Sequence, residues 1–182
     1  YDKIYDRLAY VQPDGTCLPR AAEKWESTED GHAIVFTLNQ KAAFHDGNPV
    51  TAQHWVETFQ LITDPACEIL GKTALSCLTG TDDTGAAVAG ETLGVEAVDD
   101  YTLKLSFKQP TIPEEFLVDK NRDIYVLPTY LLKDIPADQV VESDFWSKPI
   151  GSGPCQFVSE VSGSNLVLEA NKDYQLGAPG FD

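Results

Sequence analysis

The sequence predicts an α+β fold, with mixed sheets built from antiparallel hairpins and helices packed on them. Three observations predict it. "YTLKLSF" (Tyr101–Phe107) alternates apolar and polar residues with a period of two, and "AIVFTL" (Ala33–Leu38), rich in β-branched and aromatic residues, puts Ile34, Phe36 and Leu38 on one face, so each reads as a strand with one face on a core. Thr51–Thr63 instead puts Ala52, Trp55, Phe59 and Ile62 on one side at the helical period. Short turn sequences join successive strand-like runs, which favours antiparallel over parallel pairing.

Taken in chain order, "TCLPRAAEKW" reads as a short helix: Pro19 falls in its first turn, and Leu18, Ala22 and Trp25 share one side. Asp30-Gly31 centres a turn, and the Ala33–Leu38 strand follows. After the Thr51–Thr63 helix, Asp64-Pro65 stops helical propagation. Ser76–Gly94 is rich in Gly, Thr, Ala and Asp without periodicity and reads as a surface loop. It is not a phosphate loop, because no Gly-Lys-Ser/Thr follows its glycines. "VEAVDDYTLKLSF" gives two strands around Asp99-Asp100, and a short helix is expected near Pro113–Val118. "DIYVLPTYLL" reads as a strand-like piece and a helical turn, and "IPADQVVESDFW" as helix or loop. "PIGSGPCQFVSEV" and "SNLVLEANKDY" read as two strands joined through Ser162–Asn165.

Composition narrows the function classes. With 29 Asp and Glu against 13 Lys and Arg, the chain carries a formal charge of −16 and no basic run. Nucleic acid is therefore not an expected partner, since phosphate binding needs a basic footprint, and an anionic membrane surface would repel it. No apolar run is long enough to cross a bilayer. The chain opens directly on "YDKIYDRLAY", which already resembles folded-domain sequence, so a piece of a longer protein is expected.

The four cysteines, Cys17, Cys67, Cys77 and Cys155, contain no Cys-x-x-Cys pair, which argues against zinc. Their even number and wide spacing fit an oxidising compartment. Cys67 with Cys77, closing a short loop, is the first pairing expected, which leaves Cys17 with Cys155; four free thiols is the alternative.

The densest candidate for chemistry is "FHDGNPVTAQHW", Phe44–Trp55. A metal or acid–base site would need His45, Asp46 and His54 to converge with a further ligand. The local signals favour scaffolding: Asp46-Gly47 makes a turn, Pro49 stiffens the approach and Thr51 caps the helix. His54, beside the core-facing Trp55, is expected to point sideways or outward. Ser152 in Gly151-Ser152-Gly153 lacks the spacing of a nucleophile elbow, and its flanking glycines point to a tight turn or close backbone packing. Trp25, Trp55 and Trp146 read as core. Tyr1, Tyr5, Tyr10 and Tyr125 are candidates to face a cleft. No catalytic residue, cofactor or metal is expected.

In order along the chain, "LPRAAEKWE", "VFTLNQKAAFHDGNPVTAQHW", "LGVEAVDDYTLKLSFKQP", "PIGSGPCQF" and "NKDYQLGAPGFD" resemble motifs of the extracellular solute-binding proteins of peptide ABC importers, the oligopeptide- and dipeptide-binding family. The oligopeptide branch is the most similar. Gln53-His54 stands where that family usually has an acidic residue, Ser152 where it has Thr, and Cys155 where it has Tyr, which fits a family-atypical disulfide. The resemblance implies part of a two-lobed periplasmic-binding-protein-like fold, with residues 5–127 as the small extra domain of the first lobe. Residues 1–4 and 128–182 would form part of the ligand-binding lobe, and the second lobe would be missing from this chain. It implies capture rather than catalysis, with a peptide as ligand, the membrane permease of an ABC importer as partner, and a monomeric fragment. It also implies an extracellular or periplasmic location and a lipid-anchored parent. The same family could bind a nickel chelate or a sugar instead; from another class, a secreted carboxylate-dependent hydrolase is the rival. Because the second lobe would supply much of the clamp on the ligand, no ligand-binding residue is carried over; the loop after Asp64-Pro65, "ACEILGKTAL", offers none of the aromatics that peptide-binding relatives often present to the cleft there, which leaves peptide length and ligand class open.

Overall fold

The structure, a computed structural model, describes residues 3–69, 71–120, 124–161 and 163–180. Its centre is a four-stranded antiparallel sheet in the order β3-β4-β6-β5, formed by Ala22–Ser27, Ala33–Leu38, Thr102–Ser106 and Val95–Asp99. The alternation read from sequence sets its register. Ile34 opposes Leu105 and Phe36 opposes Leu103, and all four side chains are fully buried on one face. Helix α1 (Ala52–Thr63) lies against β5 and β6. It buries the expected Ala52, Trp55, Phe59 and Ile62 together with Val56. Each large apolar side chain so buried contributes about 1.5–3 kcal/mol. The helix is buried more widely than one stripe because its second side meets the returning chain: Leu127 N donates to the buried Thr58 Oγ1 at 3.0 Å. Asp64 ends the helix, as expected, with an extended ψ of 126°.

The expected helix over "TCLPRAAEKW" is two strands. β1 (Ala9–Val11) and β2 (Cys17–Pro19) form a hairpin, and β3 takes up Ala22–Ser27. The physical reason is a β-bulge. Ala22 opposes Leu38 and Trp25 opposes Phe36, so three residues on β3 match two on β4, with the irregularity between Ala22 and Lys24. An extra residue in a strand places its core-facing side chains three apart, and that spacing imitates the helical period.

Beyond the sheet, Lys72–Cys77 is a 3-10 turn that opens the expected loop, pinned by the buried Leu75, Leu78 and Thr81. The short helix near Pro113 is α2 (Pro113–Glu115), which widens into a π-type turn over Phe116–Lys120. Residues 124–128 join no sheet; Val126 N bonds the Asp6 carbonyl instead. They lead into α3 (Thr129–Leu132) and two further 3-10 turns, Ala137–Gln139 and Asp144–Ser147. The chain ends in the expected hairpin of β7 (Cys155–Val161) with β8 (Asn165–Ala170). Ser162, in the expected Ser162–Asn165 connection, lies outside the described residues.

Two apolar clusters result. The larger runs from Leu8 to Val126 around Trp55, Phe36, Phe59 and Phe107. The smaller joins Ile4, Tyr5, Leu127, Leu132 and Val140, with Phe145, Trp146, Phe157 and Leu168 against it.

Candidate functional site

The loop from Phe44 to Val50, the start of α1, α3 and the Gly151–Gly153 turn meet at one place, and the residues that looked reactive in sequence hold them together. Gly47 takes a φ of +88°, the left-handed turn that Asp46-Gly47 predicts. His45 bonds the distant turn three times. Its backbone N donates to the Gly151 carbonyl at 2.8 Å. Its ring Nδ1 accepts from Gly151 N at 3.2 Å, and its Nε2 lies 3.0 Å from the Gly153 carbonyl. Asp46 Oδ2 accepts from the Tyr130 hydroxyl at 2.8 Å and from Asn48 Nδ2 at 3.0 Å. Thr51 is the N-cap of α1, in extended conformation, and shares a reciprocal capping box with His54. In that box Thr51 N donates to His54 Nδ1 at 3.1 Å. An imidazole here does what a Glu or Gln side chain does in the usual capping box.

His54 therefore does not point away into solvent. Its ring packs edge-on against Phe44 and Tyr130, with centroids 5.2 and 5.7 Å away. Beside it, α1 and α3 enclose a groove of about 430 Å3 lined by Glu57, Leu61, Tyr130, Leu132 and Lys133, and Thr129 Oγ1 donates to Glu57 across its floor.

The electrostatics follow the packing. Burial holds both His45 and His54 below the ordinary imidazole range, against the opposing pull of Asp46 on both and of Glu57 on His54. Burial pushes the Tyr130 phenol up, and its bond to Asp46 adds to this. The ring nitrogens that bond backbone N–H groups are committed to structure, so this arrangement positions chain segments. Among the described residues, no three His, Cys, Asp or Glu side chains come together to hold a metal ion.

Ser152 is buried beside this junction with its hydroxyl unpartnered, and its neighbours explain the glycines. A Cβ on Gly151 would lie 2.0 Å from the Ile4 carbonyl oxygen, and one on Gly153 2.6 Å from that of Lys3. Gly153 N and Cys155 N donate to those same Ile4 and Lys3 carbonyls at 2.8 Å. Close backbone packing, and not a nucleophile, is what Gly151-Ser152-Gly153 encodes.

All four cysteines are free thiols in the structure, and neither Cys67–Cys77 nor Cys17–Cys155 is joined. Cys67 is buried beyond the end of α1, where its N bonds the Asp64 carbonyl. Cys77 instead turns its Sγ to the Ala74 carbonyl at 3.5 Å. Cys17 lies on the β1–β2 hairpin against the larger cluster, while Cys155 starts β7 beside Lys3. Burial pushes the Cys17 and Cys77 thiols up, which disfavours the reactive thiolate.

Of the aromatic candidates, Trp55 is fully buried, Trp25 packs against the larger cluster, and Trp146 packs at a tilt against Tyr5 with centroids 6.2 Å apart. Tyr5 is buried, and Tyr125 is half-buried under Arg7, 5.0 Å from ring to guanidinium. Tyr10 is exposed, and Tyr1 lies outside the described residues.

Sequence reasoning missed a polar centre. Asp6, 1% exposed, accepts from Arg20 Nε at 2.7 Å, the Tyr174 hydroxyl at 2.9 Å and Gln175 Nε2 at 2.6 Å. It ties the start of the chain to the β2–β3 connection and to the segment after β8. The partners lie 14, 168 and 169 positions away, so no local pattern could reveal them.

This architecture is the periplasmic solute-binding type. It superposes on the ABC transporter substrate binding protein CtaP from Listeria monocytogenes with a TM-score of 0.80 at 26% identity, over 100% of this chain and 33% of that one. In sequence, the chain is 30% identical over 179 residues to the periplasmic murein peptide-binding protein MppA of Escherichia coli K12, covering 94% of this chain and 31% of MppA. It is 27% identical over 177 residues to the periplasmic oligopeptide-binding protein OppA of Salmonella typhimurium, again 94% of this chain and 31% of the relative. The sequence profile of the bacterial extracellular solute-binding proteins, family 5 Middle, matches residues 16–182, and the chain belongs to that family. Proteins of this family are transport receptors and not enzymes. The chain spans about a third of the length of these relatives, 31% of each.

Proposed function

We propose that this chain is part of the first lobe of a receptor that captures peptides outside the cytoplasmic membrane and delivers them to the permease of an ABC importer. The match of the family profile to residues 16–182 carries this reading. The peptide assignment draws on MppA and OppA, both named for peptide binding. A lipid anchor on the parent belongs to the same proposal and follows from the family resemblance.

Within the chain, residues 5–127 would be the small domain, with 1–4 and 128–182 contributing to the ligand-binding lobe. The division of the apolar residues into two clusters, parting near Tyr5 and Leu127, supports that boundary. So does the β7–β8 hairpin, where Val158, Val161, Leu166 and Val167 are between 40% and 58% exposed, an apolar surface suited to cover by further chain. Receptors of this kind work by closing two lobes on a ligand that binds the closed state more tightly. A single partial lobe cannot enclose a peptide on both sides, so the 182-residue chain alone should bind weakly.

Thermal-shift measurement on the full-length parent, with peptides, nickel chelates and oligosaccharides in parallel, tests the ligand class. Stabilisation by peptides alone is expected; a shift with a nickel chelate or a sugar instead would overturn the peptide assignment. Calorimetry of the 182-residue chain with a peptide mixture tests the half-clamp argument, and micromolar or tighter binding would refute it.

A further inference from the structure

Two histidines bracket the loop before α1, and each spends a ring nitrogen on a backbone N–H. His45 makes the stricter demand. Its Nδ1 must accept from Gly151 N, while its Nε2, facing the Gly153 carbonyl, must donate. Only the neutral ring with its hydrogen on Nε2 satisfies both partners. A second proton would sit on Nδ1, head-on to the Gly151 N–H. The turn has no room to retreat, because Gly151 and Gly153 already press on the backbone of Lys3 and Ile4. Asn171 Nδ2 also holds the Gly153 carbonyl, at 3.1 Å. The strain must then fall on the contact between the loop and the turn. His54 makes a weaker demand at the start of α1: protonation of Nδ1 would remove the acceptor for Thr51 N at 3.1 Å, while the new N–H would still find the Thr51 hydroxyl oxygen at 3.0 Å.

We propose that His45 is an acid-sensitive latch between the 44–50 loop and the Gly151–Gly153 turn, and that His54 loosens the start of α1 under the same conditions. The latch joins the larger apolar cluster, to which Phe44 and Val50 belong, to the segment that carries the β7–β8 hairpin. It would let acidification loosen one part of the lobe against the other whatever solute the parent carries. The charges facing the two rings are few. Asp46 faces His45, and Glu57 and Asp46 face His54; α3 adds the Tyr130 phenol, which stays neutral against the His54 ring, and Lys133, which lines the same groove, while the Gly151–Gly153 turn brings no ionisable side chain. The Asp46 carboxylate is itself engaged by Tyr130 and Asn48. Burial outweighs these carboxylates at both rings, so the proton prefers the open form. The latch is therefore fully closed above the ordinary histidine value of about 6.5 and loosens as pH falls below it.

The test uses the 15N-labelled chain. Imidazole spectra at pH 7.5 should show His45 and His54 as neutral rings protonated on Nε2, each titrating below about 6.5. Amide exchange at Gly151 and Thr51, corrected for intrinsic rates, should accelerate about tenfold between pH 7 and pH 5, the change expected for one lost hydrogen bond, while β4 amides stay protected. His45→Gln keeps a donor and an acceptor without a titrating ring. In that variant Gly151 exchange should become independent of pH while Thr51 still responds. A His45 ring that titrates at or above about 6.5, carries its hydrogen on Nδ1, or leaves Gly151 exchange unchanged at pH 5 overturns the latch. Should His45→Gln not fold, the wild-type tautomer, titration and exchange decide the question alone.

Discussion

Replacing Asp6 by alanine should destabilise this chain more than any surface change, because one buried carboxylate serves three distant segments. Its side chain is 1% exposed and Arg20's is 19%, so the pair is largely shielded from water. Each hydrogen bond to a charged group is worth about 1.5–3 kcal/mol, but the bonds from Arg20, Tyr174 and Gln175 share one acceptor and do not add. Removing one partner of a buried ion pair costs about 3–5 kcal/mol, and that range is the expected loss for Asp6→Ala. Total stability for a domain of this kind is about 5–15 kcal/mol, so the variant should remain folded but with a sharply lowered urea midpoint. Asp6→Asn keeps an acceptor oxygen and should lie between alanine and wild type. Tyr174→Phe, which deletes one hydroxyl bonded to Asp6, should cost about 1 kcal/mol alone and almost nothing in the Asp6→Ala background. Equilibrium urea unfolding of the five proteins, the double variant included, reads all of this. A loss below about 1 kcal/mol for Asp6→Ala, or additive effects of Asp6→Ala and Tyr174→Phe, would refute the idea that Asp6 pins these segments as a unit.

Four further tests probe the junction and the surface. Gly151→Ala places a Cβ 2.0 Å from the Ile4 carbonyl oxygen, a clash that a rigid backbone cannot absorb, so a loss of about 2 kcal/mol or more is expected in the same urea assay. Thr51→Ala removes the N-cap and should cost about 1 kcal/mol, while the full-length parent keeps its affinity for peptide; weakened binding without weakened stability would mean the stretch touches the ligand. Because burial lowers His45 and His54 in the folded chain, the unfolded chain binds more protons below about pH 6.5; the urea midpoint should therefore fall between pH 7 and pH 5, and a flat profile would contradict the neutral rings. Leu166→Thr with Val161→Thr, at positions 54% and 58% exposed, should leave the urea midpoint within about 0.5 kcal/mol and reduce binding of a hydrophobic dye, locating the exposed apolar surface on the hairpin.

The same contrast between local and distant partners separates what was legible from what was not. The β4 and β6 strands, α1 and its stop at Asp64 could be read from sequence because each depends on periods and turn residues within a dozen positions. The capping role of Thr51 and the turn at Asp46-Gly47 were legible for the same reason. β3 was not, because the bulge between Ala22 and Lys24 gave a strand the spacing of a helix, and only pairing with β4 reveals the extra residue. The sideways placing of His54 was legible, but its contacts were not, because its ring is sheltered by Tyr130 from a helix far along the chain.

By itself, the sequence determined the α+β class, the core-facing sides of the central strands and of α1, and, through ordered motifs, the solute-binding family. Those properties follow from side-chain period and turn chemistry, which act between near neighbours. Tertiary structure alone decided what the polar residues do. His45 became a brace on Gly151 and Gly153, and Asp6 a pin between both ends of the chain. Hydrogen bonds and charge pairs depend on distances that folding sets between residues more than a hundred positions apart, and nothing local in the chain encodes them.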